Sequence, residues 1–385
     1  MFHLGKELKG PHRDDWRKAY EAELSQMVAR DVWDVVQKVP GMKNIGHRWV
    51  FDLKSNADCS IEKLKAWLVA HGDKQCPGVD CAKMYAPTAS LMSLRLVLAT
   101  AVLKESSLWH AAGRKMLVEI FFRHISMEVD QLLYIFRSRT GVITIWIHVD
   151  DGVVTLNSPN VISDFKMALV SQLDIKWSNQ LEQIVGLECV FGKGEVAITQ
   201  WKLTDSILEA YLRQVVTHDL PLPVLPVGGS TPNMSPLDAT PFWSVIGSLA
   251  YLVSGSRPDL AFAVNYLARH SSTLGPIRPC GWGGDLKRSQ TGFVLKLGDA
   301  PVLWASKRQS VVALSTCAAE YVALSDSTQH PVQAINQLNQ LVSDFDKTIF
   351  CDNQAVVQVS LDKKSHKQMR YLDCAFFFVN DMIRK

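Results

Sequence analysis

The sequence predicts an α+β chain that ends in a separate α/β domain. Three observations carry that reading. An amphipathic helical stripe precedes two strand-like runs between positions 14 and 71, and a hairpin of alternating apolar residues spans Val142 to Leu156. Beyond a Pro/Gly-rich stretch, the predicted order becomes β-β-β-α-β-α, the pattern of an α/β unit. With 385 residues the chain is long enough for two or three domains of ~100 to 200 residues. Its 47% hydrophobic and 21% charged residues exclude wholesale disorder and a fibrous chain. Lys and Arg number 41 against 38 acids, a net charge of +3, so any nucleic-acid-binding surface must be local.

The N-terminal 1–30 reads as a helix: Trp16, Tyr20, Leu24 and Met27 recur at helical spacing between Asp14 and Arg30. Gly46 to Lys54 and Lys65 to His71 read as two strands around the turn-like Ser55 to Ser60, a hairpin. Ser90 to Lys104 is a core helix, with Ser90 or Ser93 as its cap. Val142 to Leu156 folds back on itself and carries Asp150 and Asp151 at its tip. Residues 216–240 hold a run of Pro and Gly that suits neither helix nor central strand, and read as a linker. Phe242 to Leu274 is helical in character. Strand-like runs follow at Thr291 to Leu297, Pro301 to Gln309 and Val311 to Ser315, then a helix from Thr316 to Asp326, a strand at Thr348 to Cys351 and a helix around Gln354.

The longest apolar runs fall well short of the ~18 residues that span a bilayer, so no membrane helix is expected. The N-terminus lacks the basic-then-apolar order of a secretory signal, which predicts an intracellular protein, with cytoplasmic particle and nucleus both open. Eight scattered cysteines without a C-x-x-C pair read as reduced thiols rather than zinc ligands.

Two adjacent carboxylates on the solvent end of a rigid hairpin attract a cation, and a hard ion such as Mg2+ takes carboxylate oxygen while keeping its waters. Asp-Asp-Gly is also ordinary turn chemistry. The apolar residues on both sides, among them Val142, Ile145, Val149 and Val153, favour a hairpin embedded in a core over a decorative one. Glu320 falls early in a predicted helix, Asp352 ends a predicted strand, and Asp373 lies among aromatics. Acids at strand ends and helix starts of an α/β sheet are placed for metal binding, although each alone also reads as a solvated charge or a turn residue. Candidate nucleic-acid contacts are Lys65 and the cluster Lys363, Lys364, Lys367 and Arg370, where phosphate contact and a solvated patch are the two readings. Trp243, Trp282 and Trp304 could stack on bases or fill a core.

Taken in order, His47-Arg-Trp-Val-Phe-Asp-Leu-Lys54, Lys65-Ala-Trp-Leu-Val-Ala70, Tyr85-Ala-Pro-Thr88, His148-Val-Asp-Asp-Gly152, Ile246-Gly-Ser-Leu-Ala-Tyr-Leu252, Ser256-Arg-Pro-Asp259, Trp304-Ala-Ser-Lys-Arg-Gln309, Ala313 to Tyr321 and Cys351-Asp-Asn-Gln354 resemble the reverse transcriptase and ribonuclease H region of copia-type retrotransposon polyproteins. The resemblance runs from about Trp16 to the end. It implies a truncated right-hand polymerase of fingers, palm and thumb over 31–215, thumb or connection helices over 241–275, and a ribonuclease H-like mixed sheet with helices over 276–385. It also implies RNA-directed DNA synthesis and cleavage of RNA paired to DNA, with Mg2+ or Mn2+ as cofactor and RNA template, DNA primer and RNA:DNA hybrid as partners. By resemblance Asp150 and Asp151 are the polymerase metal pair, and Glu320, Asp352 and Asp373 belong to the ribonuclease centre.

The chain departs from the family at four places. Leu117 stands where the first palm aspartate belongs, with Glu119 two residues on. The chain runs almost directly from His124 to Asp130, where the family has several tens of residues more. Trp67 replaces an arginine that would contact the nucleoside triphosphate, and an indole cannot make bidentate phosphate contacts. In the second domain the leading aspartate before Trp282 is missing, and Asp285 lies on its other side. The expectation is one lost carboxylate per centre and impaired catalysis, or a non-enzymatic nucleic-acid-binding remnant of the same element.

Overall fold

A computed structural model divides the chain into two compact units, Met1–Ala86 and Pro87–Lys385. The structure describes residues 12–29, 31–37, 45–55, 61–76, 89–112, 132–137, 141–149, 151–156, 176–211, 239–269, 288–342 and 345–361, with a few isolated positions elsewhere. The expected 216–240 linker lies almost wholly outside them, as do Asp150, Asp373, Leu117, Glu119, Trp282, Asp285, Lys363, Lys364, Lys367 and Arg370.

In the first unit, helix α1 (Arg13–Ala29) packs on a hairpin of β1 (His47–Ser55) and β2 (Ile61–Ala70). The stripe read from the sequence faces inward: Trp16 is buried, and Tyr20, Leu24 and Met27 are half-buried. Strand alternation explains the fit, since Trp49 and Phe51 share one face of β1. Tyr20 lies 4.4 Å from Trp49, and Trp16 meets Phe51 edge-on at 5.4 Å.

The second unit begins with α2 (Leu91–Leu103), capped by Ser90, whose hydroxyl accepts from the Ser93 amide at 3.0 Å. Strands β3 (Ser107–Ala112), β4 (Leu133–Arg137), β5 (Val142–His148), β6 (Asp151–Leu156) and β7 (Lys176–Ser178) form an antiparallel sheet in the order β4-β5-β6-β3-β7. A second small sheet holds β8 (Gln183–Ile184), β9 (Leu187–Gly192) and β10 (Glu195–Thr199). Then come α3 (Trp201–Tyr211), α4 (Ala239–Gly255), α5 (Ala261–Arg269), the strand pair β11 (Gln290–Leu297) and β12 (Ala300–Arg308), α6 (Thr316–Gln329), α7 (Pro331–Leu341) and α8 (Gln354–Leu361).

Helix α2 is apolar nearly all round, and a helix of that kind must be covered on every side. Leu94, Val97 and Leu98 join Trp146 and Val153 of the five-stranded sheet, together with Leu181, Ile184 and Leu187. Met92 and Leu96 join Val302 of β12 and Ala334, Leu338 and Leu341 of α7. One helix therefore holds the large sheet on one side and the later strand–helix elements on the other.

The mixture of helix and antiparallel sheet agrees with the α+β expectation. Two local expectations need correction. Val311 to Ser315 is not a strand: Ser315 instead caps α6, its hydroxyl accepting from the Ala318 amide at 3.1 Å, and Leu314 is 74% exposed. Thr348 to Cys351 forms no strand and pairs with none among the described residues. The helix expected from Thr316 to Asp326 is α6, and a further helix follows it, because Pro331 cannot continue the first and opens the second at its N-terminal position.

Candidate functional site

The acid-bearing hairpin sits at the centre of the five-stranded sheet. His148 pairs with Asp151, so only Val149 and Asp150 connect β5 to β6. Residues 143–147 and 152–156 are buried, as strands covered on both faces require. The core anchors the hairpin through Trp146, which is fully buried and donates its indole N–H to the Ser90 carbonyl at 3.3 Å. His148 stacks on Trp146 at 5.8 Å. Asp151 opens β6, half-buried, opposite His148 on one side and Ala112 at the end of β3 on the other. Val149 has φ 54°, a left-handed conformation that a β-branched side chain rarely adopts. A two-residue hairpin asks for it, because only turns with positive φ match the twist of the strands.

The second acidic group is partly described. Glu320 is exposed in the second turn of α6, and Asp352 is exposed just before α8. The cap of α8 is Asn353, whose side chain accepts from the Val356 amide at 3.2 Å, so Asp352 is not used for capping. Helices α6 and α8 share a core of Ala318, Tyr321, Val322 and Val356, against which Cys317 and Cys351 both pack. Burial, and then the neighbouring Cys351, push the Cys317 thiol up. Glu320 follows Cys317 by one turn and Asp352 adjoins Cys351, so the fold brings the elements carrying both acids together. Among the described residues no group of three or more His, Cys, Asp or Glu is gathered as a metal would need. The donors that are described, Asp151, Glu320 and Asp352, suit Mg2+ in kind, being carboxylate oxygens open to water.

Lys65 lies on β2 with its ammonium 5.6 Å from the Trp67 ring centroid. Trp304 serves packing: its indole N–H donates to the Val253 carbonyl at 2.8 Å, and Arg95 covers its face. Trp243 is about half exposed on α4.

Several organising residues had no sequence signal. Glu188 of β9 accepts from the backbone amides of Trp201 at 2.6 Å and Lys202 at 3.3 Å, and so caps α3 from another element. Asp326 of α6 accepts from Thr291 at 3.2 Å and lies 3.5 Å from the Lys307 ammonium, tying the helix to β11 and β12. None of the described helices is long and apolar enough to cross a membrane.

A family model for reverse transcriptase, the RNA-dependent DNA polymerase, matches residues 30–111. The retrovirus-related Pol polyprotein from transposon RE1 of Arabidopsis thaliana is 22% identical over 462 residues, covering 96% of this chain and 31% of that protein. That from transposon RE2 of the same plant is 23% identical, covering 96% of this chain and 32% of its own length. The one from transposon TNT 1-94 of Nicotiana tabacum is 21% identical, covering 99% and 36%. The chain thus spans about a third of the length of these relatives. An alignment of 462 positions is longer than a chain of 385 residues, so the relative carries segments without counterpart here. No solved structure gives a significant match.

Proposed function

The chain belongs to the copia-type retrotransposon polyproteins, and on that footing we propose that it is a reverse transcriptase and ribonuclease H derivative whose two centres are each short of one carboxylate. One observation carries the reading: Asp151 opens β6 of a core-anchored hairpin in an antiparallel sheet, within a chain matched along 96% of its length by transposon Pol polyproteins. The five-stranded sheet is the palm in this proposal and the α1–β1–β2 unit belongs to the fingers, within a polymerase part of 31–215. Residues 241–275 are thumb or connection helices, and 276–385 the ribonuclease H-like part. The missing segments are assigned to the His124–Asp130 join and to the stretch before Trp282.

Asp150 and Asp151 would hold Mg2+, or Mn2+ as the alternative ion, and Glu320, Asp352 and Asp373 a second metal group. The ion would neutralise charge on a transferring phosphate. The chain's own residues then do the positioning: Trp146 and the β5–β6 ladder hold Asp151 at the start of β6, and the shared core of α6 and α8 holds together the elements that carry Glu320 and Asp352. Lys65, Lys363, Lys364, Lys367 and Arg370 contact the phosphates of RNA template, DNA primer or hybrid. Leucine at position 117 offers no ligand, and a lost ligand worth ~4 kcal/mol lowers a rate by ~1000-fold.

Primer extension on an RNA template and cleavage of an RNA:DNA hybrid test this directly. The expected result is extension barely above background that rises in Leu117→Asp and falls away again in Leu117→Asp with Asp151→Asn. Brisk extension by the unaltered chain would refute the impairment. Failure to bind RNA:DNA hybrid at low salt would refute the nucleic-acid reading altogether.

A further inference from the structure

The two faces of the β1–β2 hairpin differ in kind. One carries Trp49, Phe51 and the buried Ala66, and α1 covers it through Trp16 and Tyr20. Strand alternation sends Arg48, Lys63, Lys65 and Trp67 to the other. Arg48 and Lys63 are exposed, while Lys65 and Trp67 are half-buried against each other. Asp52 lies opposite Lys65 in the register and offsets part of the charge, yet the face stays basic in a chain with a net charge of only +3.

Along β2, Lys63, Lys65 and Trp67 follow at every second residue, ~6.8 Å apart, a spacing comparable to that of successive phosphates in an extended single strand. Ammonium groups in line with an aromatic plane are the elements of single-strand binding: charge follows the backbone, and a base lies on the ring. An arginine at position 67 would serve a triphosphate, because its planar fork matches phosphate oxygens; an indole has one N–H donor and a large π face.

We infer that this face of the hairpin is a stacking platform for single-stranded nucleic acid. Trp67 takes a base, and Lys63, Lys65 and Arg48 take the phosphates. The inference rests on the nucleic-acid reading above and names the strand form and the residues that select it.

Fluorescence anisotropy of a short labelled oligothymidylate, titrated with the full chain, tests it. Trp67→Leu should weaken binding about tenfold with little change in its salt dependence, and Trp67→Phe should keep most of the affinity. The double variant Lys63→Ala with Lys65→Ala should instead lower the salt slope by about 1.4, two single-strand phosphates' worth. A deoxynucleoside triphosphate should not compete, and a DNA duplex of the same length should bind more weakly. Equal affinity for Trp67→Leu and Trp67→Phe would overturn the platform, as would efficient competition by the triphosphate. Circular dichroism identifies any variant that fails to fold, and the salt slope of the lysine double variant still tests the inference if Trp67→Leu is lost in that way. A chain that binds no oligonucleotide and no hybrid defeats both readings; one that binds hybrid but ignores Trp67→Leu defeats this one alone.

Discussion

The guanidinium of Arg95 lies over the indole of Trp304, its central carbon 4.0 Å from the ring centroid, and this pair joins α2 to β12. Arg95 also donates to the carbonyls of Ser254 and Gly255, the latter at 2.6 Å, so it satisfies the C-terminal end of α4. Burial draws its pKa down to about 10, which still leaves it charged at neutral pH. A buried cation held by carbonyl oxygens and a π face, with no carboxylate among those partners, is costly to truncate. Arg95→Met should lose about 3 kcal/mol, because the carbonyls are left unpaired and the indole uncovered. Arg95→Lys should recover less than half, since an ammonium cannot bond both carbonyls and cover the ring at once. Urea denaturation of the two variants measures this; equal midpoints for Arg95→Lys and the parent would show that the planar group is not what matters.

Glu188 makes the same kind of connection from a strand to a helix. Its carboxylate accepts from the first two amides of α3 and from the Thr199 hydroxyl at 3.2 Å. Glu188→Ala should cost about 1 kcal/mol, as the loss of a good N-cap does. Glu188→Gln keeps an acceptor and loses only the charge facing the helix dipole, a few tenths of a kcal/mol. Amide exchange localised to residues 201–205 reads the difference. Uniform protection across both variants would remove Glu188 from the capping role.

Beside Arg95, the C-terminal glycine of α4 is confined. A Cβ on Gly255 would collide with the carboxamide of Gln200, which is 3% exposed and accepts from the Ser256 hydroxyl at 2.9 Å. Gly255→Ala should therefore destabilise by about 1 to 3 kcal/mol, the usual cost of forcing volume into a packed site. Gln200→Ala should relieve most of that cost in the double variant, leaving a non-additive cycle. Strict additivity in thermal unfolding would place the clash elsewhere.

The difference between what was legible and what was not follows from where each signal resides. The β5–β6 hairpin was legible because alternation and an Asp-Gly step are local, and the Ser90 cap because a hydroxyl before an apolar run is local too. Val311 to Ser315 and Thr348 to Cys351 have strand composition, but strand propensity says nothing about whether a partner strand is at hand. Arg95 sits inside the run Met92-Ser-Leu-Arg-Leu-Val97, where an arginine reads as a solvent-facing interruption; its carbonyl partners are about 160 positions away. At the candidate site, the acids and their order came from the sequence, and the left-handed backbone of Val149 came from the structure. Strands β7 to β10 and helix α3 gave no reading, since strands of two to six residues fall below the length at which periodicity is distinct.

The pair Arg257–Asp259 predicts the direction of an acid effect. The guanidinium donates through Nε at 2.9 Å to one carboxylate oxygen and through its terminal nitrogen at 2.7 Å to the other. This holds the Asp259 carboxyl below its ordinary value. A depressed folded-state pKa contributes stability that is complete above the unfolded value of about 3.9 and disappears as pH falls through the folded one. The pair is about half exposed, so solvent screening keeps the contribution under about 1 kcal/mol. Asp259→Asn should leave unfolding at pH 7 only slightly weaker and flatten its decline below pH ~4. An unchanged acid slope would mean the pair is equally formed in the unfolded chain.

Strain at the acid hairpin can be released without touching the acids. Val149 has φ 54° and is 64% exposed, so its side chain gives up little packing on replacement. Asparagine tolerates the left-handed region, and a β-branched residue there costs roughly 1 to 2 kcal/mol. Val149→Asn should raise the unfolding midpoint, by about 1 kcal/mol in stability, while Val149→Ile should leave it where it is. The contrast with Val185 is instructive: it too has positive φ, 48°, in a two-residue turn, but the next residue is Gly186, and the Val185 carbonyl accepts from the Tyr251 hydroxyl at 3.2 Å. Support from outside fixes that turn, so Val185→Asn should gain less than Val149→Asn. If Val149→Asn lowers the midpoint instead, the valine is held by contacts at the tip, and the hairpin's conformation belongs to packing rather than to the turn.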